Sequence, residues 1–187
     1  MPRKHMLDTY EAARDAGPYD EYPVMVAGVD PQLHLSRNDR PQPFHLTFQK
    51  DSVLVQMSGK ARIEMTNGAV RYFDLVPGDY AYIPAGVTHR VVPQDTSIMY
   101  RYKAEHAGLE AVTFFCEHCH AILFQETFDA DTELPQAGYL RIVDAFNQDD
   151  ALRTCDCGQV HEPVDLASYR WNEIVAELSA VETEAAW

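Results

Sequence analysis

Between residues 44 and 104, apolar and polar positions alternate in short bursts separated by Gly and Pro. The bursts are FHLTF (44–48), VLVQMSG (53–59), KARIEM (60–65), VRYFDLV (70–76), DYAYIP (79–84), HRVVP (89–93) and SIMYRYKA (97–104). Each has strand length and is rich in β-branched or aromatic residues. Many short strands at close spacing predict a sandwich or jelly-roll barrel. Thr66-Asn67-Gly68 predicts a tight hairpin, because Asn-Gly accepts the positive φ that such turns need. Upstream, YPVMVAGV (22–29) reads as a first strand, and DPQLHLSRNDRPQP (30–43), full of turn formers, as a loop. MLDTYEAARDA (6–16) favours a short helix ending at Gly17-Pro18. After residue 109 the run LEAVTFFCEHCHAILFQETF is β-rich but broken by a cysteine knuckle. A helix is predicted within GYLRIVDAFNQDDA (138–151) and another over 163–184, where Leu166, Tyr169, Ile174, Val175 and Leu178 make one apolar side. The pattern divides the chain into an N-terminal helix (1–20), a barrel (21–112), barrel-completing strands with a cysteine segment (113–162), and a C-terminal helix and tail (163–187). The fold class is therefore all-β dominated, with flanking helices.

The totals narrow the function. Of 187 residues, 46% are apolar and 24% charged, ordinary values for a soluble protein. The formal charge of -14 argues against nucleic acid, whose phosphates need a basic surface, and against anionic membranes. No apolar run reaches membrane-spanning length, and the first residues lack an apolar signal core. A cytoplasmic protein is expected.

Two groups of residues suggest metal chemistry. The first is GDYAYIPAGVTHR (78–90), in which a strand, a Pro-x-Gly turn and His89 follow in order. The turn would aim His89 into the barrel, and imidazole is the commonest transition-metal ligand. The second is Cys116-Glu-His-Cys119 with Cys155-Asp-Cys157. Two close cysteine pairs in a reducing compartment match a tetrahedral four-thiolate site for Fe or Zn. His118, His120 and His161 lie near enough in sequence to replace one thiolate.

The stretch 78–90 resembles the second motif of the cupin superfamily, jelly-roll barrels that hold a metal inside. The first cupin motif then falls on PFHLTFQKDSVLVQMSG (43–59), with His45 on its first histidine and Gly59 on its last glycine. Thr47 stands at the second histidine, and Ser52 at the glutamate, with Asp51 beside it. If Ser52 points inward, Asp51 points outward unless a bulge shifts the register. The barrel together with FFCEHCHAILFQ (114–125) and CGQVHEP (157–163) resembles the bacterial 3-hydroxyanthranilate 3,4-dioxygenase family. The likeness spans roughly residues 20–165, and the second cysteine pair here is one residue shorter than the family's.

That resemblance implies Fe(II) in the barrel, held by His45 and His89; the family's glutamate has no clean match, and Asp51, beside its register, is the candidate third ligand. It implies a remote rubredoxin-like ion at Cys116, Cys119, Cys155 and Cys157, and a homodimer. It also implies an arginine for the substrate carboxylate before the first ligand, here Arg40 or Arg37. The family's second arginine is replaced by Pro93, and its later acidic residue falls near Arg101, which we expect to be an anion-binding or catalytic group. Tyr80 and Tyr82 are expected to pack. The expected activity is O2-dependent oxidation or ring cleavage of a small aromatic carboxylate. Two alternatives are the same scaffold with altered chemistry and a small-molecule-binding cupin without catalytic metal. Ser52 favours both alternatives.

Overall fold

The structure is a computed structural model that describes residues 4–66 and 69–184, with the side chains of 181–184 excepted. The expected Asn67-Gly68 turn lies outside the described residues. Helix α1 (Thr9–Asp15) is capped by Asp8, whose side chain accepts from the Glu11 N–H. Eleven strands follow: β1 (Tyr22–Pro23), β2 (Gln32–Asn38), β3 (His45–Phe48), β4 (Ser52–Ser58), β5 (Ala61–Met65), β6 (Tyr72–Leu75), β7 (Tyr80–Ile83), β8 (His89–Pro93), β9 (Ser97–Lys103), β10 (Leu109–Phe115) and β11 (Ile122–Asp129). Helices α2 (Pro135–Gln148), α3 (Asp150–Arg153) and α4 (Trp171–Glu184) close the chain.

The strands form two antiparallel sheets. One has the order β1-β2-β9-β4-β7 and the other β11-β10-β3-β8-β5-β6. This is the expected jelly roll of two antiparallel sheets. Its two sheets are joined by Leu54, Ala81, Ile83 and Met99 from the first, packed on Ala61, Ile63, Leu75 and Val91 from the second. On β4, β5 and β7 these residues alternate with more accessible ones. Tyr80 and Tyr82 stand out in solvent, while Ala81 and Ile83 are buried.

The mouth of the barrel is filled by helices. Phe44, Leu46, Phe48, Val112 and Phe114 form one cluster with Tyr139, Ile142, Val143 and Phe146 of α2 and with Trp171 of α4. Phe114 and Phe146 stack with centroids 3.8 Å apart. Residues 16–24 thread through the same mouth and are all buried. The Tyr19 hydroxyl donates to the carbonyls of Arg40 (2.6 Å) and Val91 (2.9 Å), and Trp171 Nε1 donates to the Tyr19 carbonyl (3.3 Å).

Three expectations change. The first strand is only Tyr22–Pro23, since Pro23 offers no N–H to a ladder. The expected loop at 30–43 contains β2, which pairs along its whole length with β9. The C-terminal helix starts at Trp171, after a short 3-10 turn at Leu166–Ser168, rather than at residue 163.

Candidate metal centre

The four cysteines come together. Cys116 follows β10, and the chain folds back at once: the Cys116 N–H donates to the Ala121 carbonyl and the His120 N–H to the Cys116 carbonyl. Cys155 and Cys157 sit on a matching turn after α3. There the Gly158 N–H donates to the Cys155 carbonyl, and Gly158 takes φ 88°, a value glycine adopts without strain. The one-residue gap of this pair is thus accommodated by Gly158.

All four Sγ atoms lie within 4.8 Å of one another. The closest pairs are Cys116–Cys157 at 3.6 Å and Cys119–Cys155 at 3.4 Å. A tetrahedral ion with metal–sulfur bonds of about 2.3 Å has sulfur–sulfur edges of about 3.8 Å, so the four atoms sit close to a metal-binding geometry. The backbone N–H groups of Cys119 and His118 face the Cys116 sulfur and lower its pKa to about 6. The arrangement therefore suits a closed site for Zn or Fe with no open position. His118, His120 and His161 add no ligand to it among the described residues.

The barrel interior is arranged differently. His89 is fully buried, and its Cα partner across β3 and β8 is Leu46. Paired residues share a face and neighbours along a strand alternate, so Leu46 joins His89 inside while His45 faces outward. Phe44, Leu46 and Phe48 are the inward row of this segment. His45 instead packs its ring against Phe115, at 4.8 Å, on the outer surface of the sheet. The expectation that the two imidazoles grip one ion is corrected by this alternation.

Both nitrogens of His89 have partners. Nδ1–H donates to the Val87 carbonyl (3.1 Å), and Nε2 accepts from Arg101 Nη1 (2.8 Å). Burial, with the Arg101 cation beside it, pushes the His89 pKa down to about 3. Arg101 Nε donates to Glu21 Oε1 at 2.8 Å. Burial pushes the Glu21 carboxyl up, but Arg101, Lys103 and His34 outweigh it and leave the pKa below its ordinary value. Deeper in the same interior, Lys103 pairs with Glu110, which also accepts from the Tyr139 hydroxyl (3.2 Å). Phe48 lies beneath both cations, 4.9 Å from the Arg101 guanidinium and 4.7 Å from Lys103 Nζ.

Asp51 is exposed and outward. It accepts from the Tyr82 hydroxyl (2.9 Å) and the Ala85 N–H (2.8 Å), and so braces the Pro84–Gly86 turn instead of ligating a metal. Ser52 faces inward, as its register required, and its hydroxyl is buried without a partner. Glu21 and His89 take Arg101 Nε and Nη1, while its Nη2 is buried without a partner among the described residues. Arg40 pairs with Asp39 at the surface (2.8 Å). Arg37 follows the inward-facing Ser36 and stands on the outer side of β2. Neither arginine reaches the barrel interior.

The donor set therefore does not fit Fe(II) in the barrel. Two imidazoles face the interior, but His34 Nδ1 is paired with the Glu21 carbonyl (2.8 Å), the His89 lone pair is used by a guanidinium, and the Glu21 carboxylate is paired with Arg101, so no three metal-ligating groups converge there among the described residues. Sequence reasoning missed Glu21, Lys103 and Glu110. A signal existed: in SIMYRYK, Arg101 and Lys103 share the face of Met99, so two buried cations demanded two buried anions.

No protein-family model matches the chain, and no curated protein matches it. Solved structures of similar shape include hydroquinone 1,2-dioxygenase from Sphingomonas sp. TTNP3 with 4-hydroxybenzoate bound, with 14% identity and a TM-score of 0.44 over 55% of this chain and 81% of that one. A cupin-2 domain containing protein from Shewanella frigidimarina NCIMB 400 has 16% identity and a TM-score of 0.46 over 53% and 94%. A double-stranded β-helix protein from Klebsiella pneumoniae subsp. pneumoniae MGH 78578 has 19% identity and a TM-score of 0.46 over 59% and 97%.

Proposed function

We propose that this chain is a cupin-fold, small-molecule-binding metalloprotein whose single ion sits at Cys116, Cys119, Cys155 and Cys157. One observation carries this reading: Arg101 occupies His89 from inside the barrel while His45 faces the other side of the sheet. A fixed cation in a poorly hydrated interior opposes entry of a divalent ion. The test is metal content per chain after expression with both iron and zinc supplied. The expected result is one ion, retained in His45→Ala and lost in Cys119→Ser. A second ion that disappears in His45→Ala overturns the proposal.

The second reading is the Fe(II)-dependent dioxygenase acting on a small aromatic carboxylate, favoured by the His45 and His89 motifs. It requires β3 to slip by one residue, which would expel Phe44, Leu46 and Phe48 from the core. Oxygen uptake with 3-hydroxyanthranilate measures it directly. The homodimer implied by the resemblance is part of the proposal, and light scattering tests it.

A further inference from the structure

The outer face of the second sheet, beside the cysteine turns, carries a cavity of about 930 Å3. Its floor includes His45 and Phe115, and its walls include Tyr72, Arg62, Arg71 and Arg90. These residues lie outside the barrel interior, and Cys116 of the thiolate cluster borders the cavity.

Three features mark it as a site. His45 is only 9% exposed, yet neither ring nitrogen has a hydrogen-bond partner among the described residues. Neither nitrogen is sealed off from the cavity, so the ring can hydrogen-bond a ligand there. Burial, with Arg90 and His120 nearby, holds its pKa at about 3, which leaves one N–H donor and one acceptor at neutral pH. Next, the arginines are unevenly paired, although Glu64 and Glu117 also line the cavity. Arg62 is committed to Asp74 and Arg90 to Glu64, both at 2.7 Å. Arg71 donates only to the Thr66 carbonyl (3.0 Å) and pairs with no carboxylate among the described residues. Finally, two flat surfaces flank the space. Phe115 meets the His45 ring edge-on, and Tyr72 lies 4.0 Å beneath the Arg62 guanidinium.

We propose that this cavity binds a small aromatic carboxylic acid, with its carboxylate on Arg71, its ring against Tyr72 and Phe115, and a polar ring substituent on His45. The proposal deepens the preceding reading, on which it rests, by giving the binding protein a ligand class and a location outside the barrel. Arginine suits it because a guanidinium matches a carboxylate with two parallel hydrogen bonds.

The test is calorimetric titration of the zinc-loaded full chain with salicylate, and with salicylamide as the uncharged counterpart. Saturable one-to-one binding of salicylate is expected, with salicylamide much weaker. Arg71→Ala, at an exposed position, is expected to weaken binding about tenfold, the loss of one charge-assisted contact. His45→Gln, which keeps a donor and an acceptor, should retain more affinity than His45→Phe. Ser52→Ala, inside the barrel, should change nothing. Absence of saturable heat at millimolar salicylate overturns the proposal. So does equal binding of salicylamide, or an affinity that falls in Ser52→Ala but not in Arg71→Ala. Metal content on the same samples keeps the two readings apart: a barrel ion lost with His45→Ala defeats the binding-protein reading, whereas Arg71→Ala acts on the cavity alone.

Discussion

Replacing Arg101 by Met is the sharpest test of the ionic interior. The side chains of Arg101 and Glu21 are 2% and 7% exposed, and their contact is 2.8 Å. The substitution keeps most of the apolar stem but strands the Glu21 carboxylate and removes the donor to His89. Breaking a buried pair from one side costs roughly 3–5 kcal/mol, because the remaining charge has lost its compensation. For a domain of this size each kcal/mol moves Tm by roughly 2–4 °C, so a drop of about 6–20 °C is expected. The double variant Arg101→Met with Glu21→Gln removes both charges and should recover more than half of that loss. Urea denaturation of the zinc-loaded protein at pH 7.5 measures all three stabilities, with the slope of the transition checking that the unfolded state is unchanged. A single-variant loss below about 1 kcal/mol, or a double variant as unstable as the single, would refute the argument that paired charges hold the interior together.

Acid should destabilise the fold well above the usual carboxylate range. Burial lowers His34 to about 4 and His45 and His89 to about 3, so the unfolded chain takes up three protons that the native one refuses as pH falls below about 6.5. Asp20 opposes them: burial raises it to about 6, so its proton is held by the native state between that value and the ordinary one near 4. Three minus one leaves two protons, and stability should fall by about 2.7 kcal/mol per pH unit between roughly pH 6 and 4. Denaturation midpoints at half-unit pH steps measure this, and a flat profile there contradicts it. Stripping the thiolate ion with a strong chelator should raise amide exchange at 116–121 and 154–161 far more than in β4 or β9, since the turns are joined through the ion; uniform protection before and after would count against a structural role. Gly138→Ala should destabilise in spite of alanine's better helix propensity, because a Cβ there would meet the Phe128 ring at 2.9–3.0 Å; a raised Tm would show that the ring can move away.

The strand pattern was legible wherever one face carries apolar side chains. From residue 44 to 104 the expected bursts and the observed strands differ by a residue or two. Strand β2 was not legible, because its inward row is Gln32, His34, Ser36 and Asn38. Polar residues facing an interior reverse the usual alternation, and only pairing with β9 makes the segment a strand. The cysteine spacing identified its cluster because local turns alone bring each pair together. The two histidines required more. FHLTF itself contained the answer: alternation puts either Phe44, Leu46 and Phe48 inside or His45 and Thr47, and burying three large apolar side chains is worth several kcal/mol, roughly 1.5–3 each. Motif matching put weight on His45, whereas hydrophobicity decided the register. Glu21 could not be placed from the sequence at all, because its position depends on how residues 16–24 thread the mouth.

That threading has a consequence for synthesis. Tyr19 and Trp171 stand 152 positions apart and meet directly, as do Asp15 and Arg170 at a separation of 155. A nascent chain leaving the ribosome can pair its strands in sequence, yet its opening stays unsealed until Trp171 has emerged. During that interval Phe44 and Phe114, which share a cluster with Trp171, face water or a chaperone. The early residues of this protein are thus finished by its late ones.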